Sequence, residues 1–170
     1  MFLLGNEANE ALRENRLDDA EHSYKTIIQY LQTLPEPEAE QKIAVCYHQL
    51  GMIAEERQQF DVAEQWYRKA LEIYEKIGHP PLKVDTLAVF GVLRFYQGRL
   101  HESVAWFAKA YGIASAYRMP VVERIKSNLR RLLEAMGREG FVNAWREATG
   151  GEEPRIDEIK VKGQVRREKN

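Results

Sequence analysis

Four histidines, one cysteine and 26 carboxylates are the side chains of this 170-residue chain that could do acid–base, metal or nucleophilic chemistry. His22, His48, His79 and His101 stand more than twenty residues apart, so none forms the four-residue helical pair that holds zinc, and none joins a cluster of cysteines. The carboxylates are spread along helix faces, where pairs such as Glu72 and Lys76 make i,i+4 contacts worth a few tenths of a kcal/mol. There is no phosphate loop, no dinucleotide glycine pattern and no nucleophile elbow. The expectation is a chain that is no enzyme and uses neither metal nor cofactor.

Charge narrows the partners. Lysine and arginine total 25 against 26 acids, so no overall field holds a polyanion, and nucleic acid is not an expected partner. The basic residues Arg166, Arg167 and Lys169 are too interrupted to make a nucleic-acid or lipid site. Met1-Phe2-Leu3-Leu4 is too short an apolar run for a signal peptide or a membrane span, so no membrane role and a cytoplasmic location are expected. Cys46 lies on an apolar helical stripe and reads as a buried thiol.

The elements that must position any site repeat themselves. Ala20, Ala63 and Ser103 recur at spacings of 43 and 40 residues. Leu17, Phe60 and Leu100 precede them by three; Tyr24, Tyr67 and Phe107 follow by four, and Ile27, Ala70 and Ala110 by seven. Offsets of three, four and seven share one helical face. Gly51 and Gly91 fall inside the preceding helices, where glycine costs roughly 1 kcal/mol against alanine, so their recurrence predicts close backbone approach beside Ala63 and Ser103. A helix pair cannot bury its own apolar face, and a period near 40 therefore predicts stacked pairs.

Boundaries follow from local chemistry. Asp18 with Glu21 and Asp61 with Glu64 read as capping boxes; Asn15, Gln58 and Gly98 occupy the turns before them, and prolines 35, 37, 80, 81 and 120 separate the pairs. The predicted helices run 2–14 and 18–33, 38–57 and 61–77, 81–97 and 101–117, then 120–136 and 139–149. The repeat domain is expected over 1–150 as pairs 2–33, 38–77 and 81–117 with a degenerate cap 120–149. A charged tail, 151–170, follows with one short helix near 156–161 and a frayed end.

Tyr47, Leu50, Gly51, Ala63, Tyr67 and Ala70, and again Leu87, Phe90, Gly91, Phe107 and Ala110, resemble the tetratricopeptide repeat. The period exceeds the family's 34 residues and is similar to the long-helix variety of kinesin light chains and bacterial signalling sensor arrays. Departures are Ala54 and Arg94 in the slot of an aromatic three residues after the glycine, an absent terminal proline, and Glu7-Ala8 in place of Leu-Gly in the first unit. The resemblance implies an all-α fold, a right-handed α-solenoid of antiparallel helix pairs forming a superhelix. The abrupt start suggests a fragment of a longer array.

The resemblance also implies a ligand on the concave face of the first helices. The candidate peptide- or protein-binding residues are Asn9, Arg13, His48, Met52, Glu55, Val92, Phe95 and Tyr96: an apolar groove through Met52, Val92 and Phe95, rimmed by His48, Glu55 and Arg13. Interhelical packing is the competing role for Met52, Val92 and Phe95. The family's carboxylate clamp for chaperone tails maps to Gly5, Asn9, Gln49, Asp85 and Val89; only Asn9 matches and Asp85 repels a carboxylate. A noncatalytic protein-protein interaction module, a scaffold or adaptor, is therefore expected. The alternatives are a sensor or regulatory segment of a larger signalling protein and a self-associating scaffold; Trp66 and Trp106 in register on the outer helices read first as contacts between repeats, and otherwise as an exposed ridge that would serve a homodimer.

Overall fold

The computed structural model describes residues 2–34 and 37–159, with side chains for 5–34 and 39–159. Eight helices are present among them: α1 (Phe2–Arg13), α2 (Leu17–Leu31), α3 (Pro37–Glu56), α4 (Phe60–Ile77), α5 (Pro80–Tyr96), α6 (Leu100–Ala116), α7 (Val122–Thr149) and α8 (Ile156–Ile159). No strand occurs among the described residues. Pro35, the end of the expected short helix at Val161, and Arg166, Arg167 and Lys169 lie outside the described residues. The chain divides into two compact units, Met1–Thr86 and Leu87–Asn170.

In the first unit α2 packs on α1, and α3 packs on both α2 and α4. Three-residue turns force neighbouring helices to run antiparallel. Asn15 and Gln58 take positive φ values of 58° and 59°, and the Arg16 and Gln59 amides reach back to the Ala11 and Ala54 carbonyls, so both turns close the preceding helix with the same left-handed residue. Gly98, at φ 72°, does this in the second unit, with the Arg99 amide donating to the Arg94 carbonyl. The capping-box expectation is corrected. Helices α2 and α4 begin one residue before Asp18 and Asp61, and Arg16 and Gln59 at their N-caps make no side-chain cap hydrogen bond. The acids stand in the first turn, where they meet the positive end of the helix dipole, and Asp18 and Glu21 pair with Arg57 at the end of α3.

The small-residue sites are filled in a way that refines the expected crowding. A Cβ on Gly51 would lie 2.4–2.8 Å from the ring of Tyr67, and one on Gly91 would lie 2.7–2.9 Å from Phe107. The glycines thus make room for the aromatic four residues beyond the small residue. Ser103 adds a direct link, its hydroxyl donating to the Gly91 carbonyl at 2.6 Å.

The core of the first unit includes Ala8, Ala20, Tyr24, Leu31, Leu50 and Ile53. Trp66 stacks on Tyr47 with ring centroids 5.5 Å apart and carries the Lys69 ammonium 4.3 Å from its own centroid. In the second unit Trp106 stacks on Phe90 at 4.5 Å under Lys109. Both indoles are half-buried and spend one face on a neighbouring helix.

Within the second unit α6 packs on α7, and α8 returns against α7 with Ile156 and Ile159 buried. Helix α7 is broken at Gly137, whose φ of 71° and ψ of 169° are not helical. The split expected between 136 and 139 thus falls at a residue able to adopt that backbone. Phe141, Leu129 and Leu132 are fully buried on either side of it.

Candidate protein-binding face

The first unit contributes α1 and α3. On α1, Asn9 is half-buried and its Oδ1 accepts the Tyr24 hydroxyl at 2.8 Å, whereas Arg13 is exposed. Burial pushes the Tyr24 phenol up to about 12, against the opposing pull of the Arg13 cation, so Tyr24 stays a neutral donor. For α3 the equivalent tyrosine is Tyr67 of α4, fully buried, whose hydroxyl donates to Glu55 Oε2 at 2.9 Å. Burial, then the Glu55 and Glu56 carboxylates, raise its pKa far above the ordinary phenol value. In both pairs of the first unit a tyrosine of the second helix therefore reaches across and fixes a polar side chain of the first.

His48 is held on two sides. Its ring lies 5.3 Å from the Tyr67 ring, and Nδ1 is 3.3 Å from Thr86 Oγ1. The Thr86 hydroxyl donates to the Leu82 carbonyl at 3.0 Å, so it accepts from His48 Nδ1–H. The neutral ring then carries its lone pair on Nε2. Burial lowers the His48 pKa, opposed by Asp85, so the ring is neutral at pH 7.

Between these polar groups Met52 is 39 % exposed and Val45 37 % exposed. Met52 is not sealed into an interhelical seam. In the second unit the candidates lie on α5: Val92 and Phe95 are half-buried and Tyr96 is 68 % exposed. Phe95 meets the edge of Tyr96 at 6.0 Å, and the Arg131 guanidinium of α7 lies 4.7 Å from its ring centroid. One face of Phe95 is thus already occupied by a cation.

The structure brings His48 and Glu55 together around Tyr67, and Phe95 together with Tyr96. Sequence reasoning missed four participants. The tyrosine hydroxyls were hidden because Tyr24 and Tyr67 read as packing, and Thr86 and Arg131 because nothing local couples them to His48 and Phe95. Arg94, in the family's aromatic slot, is 4 % exposed and binds Glu102 and Gln97 at 3.1 and 2.7 Å. A charge-assisted pair takes the space an aromatic would fill.

Other chemistry-bearing residues fall elsewhere. His79 Nδ1 accepts the Leu82 amide at 3.4 Å at the start of α5, and His101 is exposed in the first turn of α6. Cys46 is buried, which pushes its thiol up to about 11. Among the described residues no three histidine, cysteine or carboxylate side chains gather as a metal site, and no helix is long and apolar enough to cross a membrane.

The sequence pattern described as tetratricopeptide repeat matches residues 3–76 and 42–116, two windows displaced by one repeat. No curated protein matches the chain. Among solved structures, BtubC (BKLC) from P. vanneervenii is 19% identical with a TM-score of 0.69, covering 89% of this chain and 59% of that one. The Rap conjugation gene regulator of the plasmid pLS20, solved in complex with the Phr* peptide, is 22% identical with a TM-score of 0.58, covering 86% and 40%. The chain therefore spans less than two thirds of either neighbour. With the repeat pattern matched over most of its length, and with paired helices built around Gly51–Tyr67 and Gly91–Phe107, this chain belongs to the tetratricopeptide repeat family.

Proposed function

We propose that the chain is a noncatalytic protein-interaction module whose first helices take up a peptide or protein segment: α1 and α3 in the first unit through Asn9, Arg13, His48, Met52 and Glu55, and α5 in the second through Val92, Phe95 and Tyr96. The observation that carries this reading is the exposed Met52 side chain set beside polar groups that are already fixed. Tyr67 holds Glu55, and Thr86 holds His48. Groups ordered before binding lose little entropy when a ligand arrives, so their contacts appear as affinity. An apolar centre with a polar rim is the anatomy of a protein-binding patch. Membership of the tetratricopeptide repeat family, and a structural neighbour that was solved with a peptide, support the same reading.

The test is selection of a displayed library of random 12-residue peptides on the immobilised chain, repeated with Met52→Asp and with Tyr96→Asp. Both positions are exposed, so circular dichroism should be unchanged. Peptides that bind the native chain and lose at least about tenfold in affinity for one of the variants are expected, as for loss of an apolar anchor. Equal binding to all three proteins would remove the assignment of this face.

A further inference from the structure

The face of α3 has a chemical bias of its own. Val45, His48, Met52, Glu55 and Glu56 recur at helical spacing along one side of the helix. Besides two exposed apolar side chains, that side offers hydrogen-bond acceptors. Glu55 gives one carboxylate oxygen to Tyr67 and keeps the other, Glu56 is exposed, and half-buried His48, its Nδ1–H committed to Thr86, has its lone pair on Nε2. Asp85 is near enough to act electrostatically on both His48 and Tyr74.

Nearby cations are directed elsewhere. Arg57 pairs with Asp18 and Glu21, Lys76 with Glu40 at 2.5 Å, and Lys83 with Glu75 at 3.0 Å. Lys42 stands thirteen residues before Glu55 on α3, about 20 Å along the axis. Arg13, on α1, is the cation among the candidate residues of this unit, and its field acts on Tyr24.

We infer that the α3 face binds a basic amphipathic peptide segment: an aliphatic or aromatic side chain against Val45 and Met52, next to a lysine or arginine received by Glu55, Glu56 and His48 Nε2. This rests on the interaction reading above and adds the partner's chemistry. An arginine or lysine head carries only donors, so it matches a rim made of acceptors, whereas an acidic peptide would set carboxylate against carboxylate. The fixed Glu55 geometry favours a partner that supplies both apolar and cationic groups at neighbouring positions.

The test measures fluorescence anisotropy with labelled 12-residue peptides built on one leucine-containing frame, flanked by arginine, by glutamine or by glutamate. The proteins are the whole native chain, Glu55→Gln/Glu56→Gln, the single variant Glu56→Gln, and Glu134→Gln/Glu139→Gln, which makes the same charge change on exposed positions of α7. Glutamine at 55 keeps a carbonyl acceptor for Tyr67, and Glu56 is exposed, so the single variant serves if the double one does not fold.

The arginine peptide should bind the native chain about five- to tenfold more tightly than the glutamine peptide. That preference should vanish in the α3 double variant, shrink in Glu56→Gln, and persist in the α7 variant. Tighter binding of the glutamate peptide, or an arginine preference lost equally in the α7 variant, would overturn the basic-partner inference while leaving the interaction module standing. Absence of any peptide binding, here and in the library selection above, would overturn both.

Discussion

The Cβ that Gly51 lacks would lie 2.4 Å from Cε1 of Tyr67, well within van der Waals contact of the buried ring that also faces His48. Packing at this point leaves no room for a methyl group. Gly51→Ala should improve helix propensity by about 1 kcal/mol yet incur overpacking of about 1–3 kcal/mol, giving a lower urea midpoint. Gly91→Ala against Phe107 should behave alike. A midpoint unchanged or raised in both variants would show that the rings move aside freely.

Ser103→Ala should lower stability by about 0.5–1.5 kcal/mol, the net worth of one buried hydrogen bond, because the hydroxyl donates to Gly91 at 2.6 Å. Alanine already occupies the aligned positions 20 and 63, so the backbone tolerates it. Ser103→Val should cost more, since it adds bulk to a fully buried site. Denaturant titration of the three proteins gives the order directly.

Gln58 holds a left-handed conformation at φ 59°, the role that Gly98 fills in the second unit. For an ordinary residue that conformation costs about 1–2 kcal/mol, partly offset in glycine by the greater freedom of its unfolded chain. Gln58→Gly should therefore raise the stability by about 0.5–1 kcal/mol, seen as a higher urea midpoint with unchanged slope. Loss of stability would mean that the Gln58 side chain itself supports the turn.

His48 sets a pH dependence. Its folded pKa is lowered by burial from the ordinary value of 6.5, so the unfolded chain takes up the proton first. The stability that the neutral ring contributes is complete above about pH 6.5 and is lost as pH falls through the folded value. Imidazole proton resonances followed by NMR should give a His48 midpoint below 6.5, and His48→Gln should flatten the stability profile between pH 7 and 5. A midpoint at or above 6.5 would contradict the assigned burial.

Much of the fold was legible because its determinants are local. Leu17, Phe60 and Leu100 fix where second helices start, Gly51 and Gly91 mark close contacts, and the turns at Asn15, Gln58 and Gly98 share one backbone geometry. From α1 to α7 the observed helix ends lie within two residues of those read from the sequence. What local reading mistook was the job of Asp18, whose electrostatic partner, Arg57, is 39 residues away. The same limit applies to the candidate face. Exposure of Met52 and Tyr96 follows from helical periodicity, whereas the Tyr67–Glu55 bond, the Thr86 partner of His48 and the Arg131 cover on Phe95 need the fold before they exist.

The stacked tryptophans give the molecule built-in optical labels. Trp66 lies in the first unit, against Tyr47 and below an ammonium; Trp106 and Trp145 lie in the second, the latter with a buried indole N–H that meets no acceptor among the described residues. Replacing Trp106 and Trp145 by phenylalanine would leave emission from the first unit alone, and replacing Trp66 would leave that of the second. Fluorescence recorded during denaturation could then time the melting of each unit separately, without an added dye.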